Sequence, residues 1–191
     1  MTADFGRRRS GPGNTAAEGE GGEDQLPRRL RDLSPDERAR QLCLDSLERR
    51  MRTRKQLAQL LSRKRIQPEV AESVLDRLQE VGLINDEAYA RAFVTSRQRT
   101  RPRGTRALSS ELWAKGIAPE VAERVLAETD EAEDPKDAAR RAIAPKLRQL
   151  AGKPPEEKRH KLEQFLLRRG FSYETTRDVL RDLSHDEDSL A

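Results

Sequence analysis

The chain has 191 residues, of which 38% are charged, 34% apolar and 4% aromatic. So thin an apolar share excludes a large β-rich core and points to charged helices and partial disorder. Thirty-eight basic against 34 acidic residues leave a net charge of +4, so any pull on an anionic partner depends on where the charges sit.

Residues 1–35 hold six of the eleven glycines and few large apolar residues, chiefly Phe5, Leu26 and Leu30. That is too little apolar surface to offset the entropy of ordering, and a disordered tail is expected. Its Arg7-Arg8-Arg9 triplet reads as solvated charge. Helical texture begins near Ser34, an N-cap with Pro35 at the first helical position and Glu37 in the third. A helix is expected over 36–50, with Leu42, Cys43 and Leu47 on its inner stripe. Thr53 and Gln56 have capping-box spacing for a second helix, where Leu57, Leu60 and Leu61 share a face. A third helix starts at Pro68 and runs to Gly82 with Val70, Val74, Leu78 and Val81 on one stripe.

The pattern then recurs. Windows 55–78, 106–129 and 160–183 align without a gap, at offsets of 51 and 54 residues. Leu57, Leu108 and Leu162 correspond, as do Leu61, Leu112 and Leu166, then Ile66, Ile117 and Phe171. Gly116 and Gly170 stop the second helix of their units, where a left-handed residue is needed. Arg65 stands at that place in the first unit, a departure expected to strain or shift the turn. Pro119 and Ser172 start the closing helices of the later units. Further helices precede the windows at 86–99, with Asp86 as N-cap, and at 135–150, where Pro145 is expected to kink or divide the helix. Residues 128–134 read as an acidic linker.

The expected architecture is therefore all-α: three tandem three-helix repeats forming an elongated, curved, solenoid-like rod. The units span 36–86, 87–134 and 135–183, with a second disordered tail at 184–191. No one unit is expected to bury its stripe alone, so neighbours must stack.

Charge repeats with shape. Acids are missing between Glu48 and Glu69, between Glu87 and Glu111, and between Asp137 and Glu156, where basic residues number eight, six and five. These blocks fall in the same part of each unit and predict a basic stripe. Its partner is either nucleic acid phosphate or an acidic protein surface. Helix pairs such as 106–115 and 119–127 leave a helix-turn-helix reading open, although Glu120 and Glu123 would repel phosphates from the second helix. Trp113, Phe165, Phe171 and Tyr173 are expected to pack in the core or between helices rather than to stack on bases.

Catalysis finds little support. His160 and His185 lie near no cysteine or carboxylate cluster, Cys43 reads as a small buried residue, and no phosphate loop is present. Neither an enzyme nor a cofactor is expected. The lone cysteine, the missing export signal and the absence of any long apolar run predict a cytoplasmic protein with no membrane partner.

The run from Cys43-Leu44 through Leu57 resembles the bacterial RecX family, as do Gly82-Leu83-Ile84-Asn85-Asp86-Glu87 with Tyr89-Ala90, and Phe93-Val94 with Ser96-Arg97. Leu112 through Lys115-Gly116-Ile117 and Phe165-Leu166 with Arg168-Arg169-Gly170-Phe171-Ser172-Tyr173 extend the likeness over residues 36–183, in the same order. The resemblance implies a non-enzymatic modulator of the RecA recombinase, acting in DNA recombination, repair and the SOS response. Such a protein binds RecA filaments on single-stranded DNA and lowers strand exchange, ATP hydrolysis and co-protease activity, here expected as a monomer. The residues expected to contact RecA or DNA are Arg50, Arg52, Arg54, Lys55, Lys64, Arg97, Arg99, Arg101, Arg103, Arg106, Lys115, Arg140, Arg141, Arg168 and Arg169.

Overall fold

Ser34 Oγ accepts the Glu37 N–H at 3.3 Å while the Glu37 carboxylate accepts the Ser34 N–H at 3.0 Å, and this reciprocal cap starts α1 (Pro35–Arg49). Thr53 and Gln56 repeat the device for α2 (Arg54–Arg63), and proline at the first position opens α3 (Pro68–Glu80). The second unit comprises α4 (Asp86–Thr100), α5 (Thr105–Ala114) and α6 (Pro119–Ala132), and the third α7 (Pro135–Gln149), α8 (Pro155–Arg168) and α9 (Tyr173–Asp188). This computed structural model describes residues 30 and 32–188, all helix, turn or loop with no strand among them. Most of the N-terminal segment expected as a tail, and residues 189–191, lie outside the described residues.

The three units are alike down to their turns. Ile66 N–H returns to the Leu61 carbonyl, Ile117 N–H to Leu112 and Phe171 N–H to Leu166, at 3.1–3.2 Å. This bond closes the second helix of each unit and requires the residue before it to be left-handed. Gly116 and Gly170 have φ of 86° and 82°, and Arg65 is forced to 56°. The expected strain at Arg65 is thus present, at a cost of roughly 1–2 kcal/mol for a side chain in that region.

Each unit owns its core. Leu42, Cys43, Leu57, Leu61, Leu75 and Leu78 form the first, Val94, Leu108, Leu112, Ile117 and Val125 the second, and Ile143, Leu162, Leu166, Phe171 and Val179 the third. The three-unit all-α array stands, but the expectation that units must share a buried face does not. Three short helices enclose a self-sufficient cluster, each fully buried leucine contributing about 1.5–3 kcal/mol. Leu30 is 1% exposed and belongs to the first cluster, so packing begins before α1, and Arg38 donates to the Leu30 and Leu33 carbonyls. Other expectations need correction. Val81 is 69% exposed, because α3 ends at Glu80 and the chain turns at Gly82. Of the two outcomes expected at Pro145, division does not occur, since the residue sits inside an undivided α7. The cap of α4 is Asn85, whose side chain accepts the Ala88 N–H. The helix α9 runs through Asp188, past the expected end at 183.

Units meet end to end through their second helices. Thr53, before α2, donates its hydroxyl to the Lys115 carbonyl at the end of α5 (2.7 Å), and Gly116 lies against Lys55 so closely that a Cβ there would fall 2.4 Å from Lys55 Cβ. Asp86 accepts the Arg54 N–H at 2.9 Å, capping α2 from the neighbouring unit. The second joint is equivalent. Gly104 N–H donates to the Arg169 carbonyl (3.0 Å), and a Cβ on Gly170 would meet Ala107 N at 2.5 Å. Arg65, which is exposed and docks on no other unit among the described residues, escapes this demand for glycine.

Relief of the strained turn without loss of a contact predicts that Arg65→Gly stabilises the first unit by about 0.5–1 kcal/mol after the entropy cost of glycine. Gly170→Ala, by contrast, should destabilise by about 2–4 kcal/mol, since it adds both φ strain and a backbone clash. Thermal denaturation of the two variants, followed by circular dichroism, reads opposite shifts in midpoint.

Candidate functional site

Both joints gather cations. At the first, Arg50 and Arg52 lie on the loop entering α2, and Lys55 and Lys115 line, together with Glu111, a cleft of about 280 Å³ between α2 and α5. Burial and then the nearby Arg50 hold the Arg52 pKa below its ordinary value. At the second, burial and then Arg103 and Arg101 depress that of Arg169. Arg52 and Arg103 occupy equivalent places 51 residues apart, as do Arg50 and Arg101. Their aromatic supports are alike too: Lys115 lies 5.0 Å over the Phe93 ring and Arg169 4.8 Å over that of Phe165. Arg169 also donates to the Pro102 carbonyl at 3.3 Å, fastening its guanidinium to the loop that carries Arg101 and Arg103.

Not every basic residue expected at the site is free to meet a partner. Arg54 is bridged to Glu72 (2.5 Å) and Asp76 (2.7 Å) of α3. Glu111 holds Arg97 at 2.9 Å and Arg103 at 3.0 Å. Arg140 pairs with Asp137 and Asp182, and Arg141 with Glu133. Acids of the closing helices α3 and α9 thus fold back on the basic blocks, which the sequence pattern alone does not reveal. Among the described residues, Arg50, Arg52, Lys55, Lys64, Arg99, Arg101, Arg106, Lys115, Arg168 and Arg169 form no ion pair. All but Lys64 and Arg99 lie on or next to a joint.

The aromatic expectations divide. Phe171 is buried and Phe165 half-buried, but Trp113 is 72% and Tyr173 65% exposed. Trp113 stands one step round the helix from buried Leu112, so periodicity alone placed it on the margin of the core, and Tyr173 opens α9 ahead of its first buried residue, Thr176. Cys43 is fully buried, and burial pushes its thiol pKa up to about 11, which leaves it unreactive near neutrality. Among the described residues no group of His, Cys, Asp or Glu is placed to hold a metal ion, and no helix is long and apolar enough to cross a membrane.

Comparison with known families matches each unit in turn. Residues 39–78 match the first three-helix domain of RecX, residues 85–126 the second and residues 132–180 the third. The chain belongs to the RecX family. Relatives named regulatory protein RecX include one from Streptomyces coelicolor, 39% identical over 80% of this chain and 81% of its own. Another, from Thermobifida fusca, is 38% identical over 71% and 72%. The crystal structure of RecX from Lactobacillus salivarius superposes with a TM-score of 0.71 at 24% identity, over 78% of this chain and 97% of that one.

RecX is thus a family of regulatory proteins, and in this member eight of the basic residues expected at the site stand without an ion pair where RecX units join. Glu111 limits their number by engaging two arginines of the second unit. Glu111→Gln is therefore predicted to release Arg97 and Arg103 and to raise the salt concentration at which the protein leaves a heparin column. The double variant Arg101→Glu/Arg106→Glu should leave earlier than the native chain.

Proposed function

We propose that this protein is a non-enzymatic, cytoplasmic regulator that binds, as a monomer, RecA filaments assembled on single-stranded DNA and lowers their recombinase, ATPase and co-protease activities. Membership of a regulatory family supports the role. The observation that carries the mode of action is the repetition, at both joints, of a cluster of cations that form no ion pair. Two equivalent clusters, one unit apart on a single chain, suit a partner whose anionic groups themselves recur at a fixed interval. Each cluster adds a salt-sensitive contact, and because both sit on one body the second is made at high effective concentration. The cations held by Glu72, Asp76, Glu111, Glu133, Asp137 and Asp182 stabilise the units, so the contact surface is narrower than the full set of basic residues.

The test is RecA-dependent ATP hydrolysis on single-stranded DNA with purified protein added. Progressive inhibition at constant filament content is expected. Arg50→Glu/Lys55→Glu and Arg101→Glu/Arg106→Glu should each weaken inhibition, and each should lower the slope of log affinity against log salt by about 2 if both residues meet phosphates. No inhibition at any ratio with intact filaments would refute the proposal. Salt-dependent duplex binding with a clear sequence preference and without RecA would instead favour an autonomous DNA-binding protein.

A further inference from the structure

Trp113 is the chain's one tryptophan and lies 72% exposed on α5, although Leu108 and Leu112 of the same helix are buried. Nothing in the fold employs its ring. Among the described residues the indole takes part in no ring stacking, cation–π contact or hydrogen bond. Tryptophan is on average well buried, and a free, rigid ring is the kind of group that interfaces use.

Its surroundings indicate what it would meet. Trp113 follows Arg106 by seven residues, which puts both on one face of α5, about 10.5 Å apart along the axis. Ser109 and Ser110 lie between them. Glu111, the acid of α5, projects from the other side, where it holds Arg97 and Arg103. The row from Trp113 to Arg106 is therefore free of acid along its helix. It leads to the second joint, where the contact of Gly170 with Ala107 brings Arg168 and Arg169 to the first turn of α5. A tryptophan that anchors a protein interface lies with other hot-spot residues in a desolvated, well-packed centre, and no other large apolar or aromatic side chain shares the row of Trp113 and Arg106 on α5. This one is accompanied by serines and guanidiniums, the composition of a platform that stacks one base while cations hold the phosphates on either side.

We propose that Trp113 is the base-stacking residue of a site for single-stranded nucleic acid, with Arg106 and the arginines of the second joint on the phosphates. This rests on the reading of the joint cations as phosphate contacts, and goes beyond it in assigning the base contact and in requiring that the free protein bind a strand without RecA. Stacking of this kind is indifferent to sequence, since every base has a face to offer.

Because Trp113 is the chain's one indole, its own emission reports the event. Titrating the full chain with a short oligothymidine should quench the fluorescence saturably. Binding measured by anisotropy of a labelled oligonucleotide should weaken about 5- to 100-fold in Trp113→Ala and recover largely in Trp113→Phe. The exposed position makes misfolding of either variant detectable as an exception by circular dichroism. If Trp113→Ala binds the oligonucleotide as tightly as the native chain while Arg101→Glu/Arg106→Glu does not, the indole is no base contact and the joint reading stands. If the native chain does not bind the oligonucleotide, or if Trp113→Ala spares that binding but loses the RecA filament, the proposal is overturned in favour of a protein contact.

Discussion

The array depends on one interaction: the carbonyls that end the second helix of one unit meet donors at the start of the second helix in the preceding unit. Lys115 O receives the Thr53 hydroxyl, and Arg169 O receives the Gly104 N–H. The helices α8, α5 and α2 thereby stand head to tail, the partial negative charge of each C-terminus against the partial positive charge of the next N-terminus. Such a contact needs backbones to approach closely, which is why Gly104, Gly116 and Gly170 surround it. With separate cores on either side, relative placement of the units is set by these few polar contacts and not by a shared apolar face.

The same joints account for part of the charge pattern. An isolated helix gains from acids in its first turn, yet α2 and α5 have none there, while α8 carries Glu156 and Glu157. The difference follows from docking. The starts of α2 and α5 already face the carbonyls of the next unit, and α2 also faces Asp86; the start of α8 faces no further unit. Acids at the first two positions would compete with those carbonyls. The joints can thus tolerate cations, and the cations left unpaired there become the surface that a partner meets.

Much of the architecture was legible because it is written in short-range terms. Leu57, Leu61, Leu75 and their counterparts mark helix faces, Ser34 and Thr53 mark starts, and the 51- and 54-residue offsets reveal three units. What the pattern hid is set by contacts between distant residues. Nothing near Asp86 in the chain announces that it caps α2 rather than its own helix. The spacing of Arg97 and Arg103 does not show that Glu111 lies between them in space, nor does that of Arg140 show Asp182 on α9. Trp113 misled because one step of helical rotation separates a core position from an exposed one. The acid-free blocks were visible; their division into paired and unpaired cations required the fold.

The two ends of the column differ from its interior in a way that bears on self-association. At one end Arg65 places a Cβ and a long side chain where the interior joints need bare backbone. At the other, α8 begins earlier in its unit than α2 and α5 do in theirs, and its leading residues Pro154 and Pro155 have no N–H to give. A second copy of the chain therefore meets a side chain at one end and two prolines at the other, where the interior joints have glycine or a hydroxyl. The joint repeated twice inside the molecule is thus reproduced at neither end of its column, and the chain measures out a stretch counted in its own units.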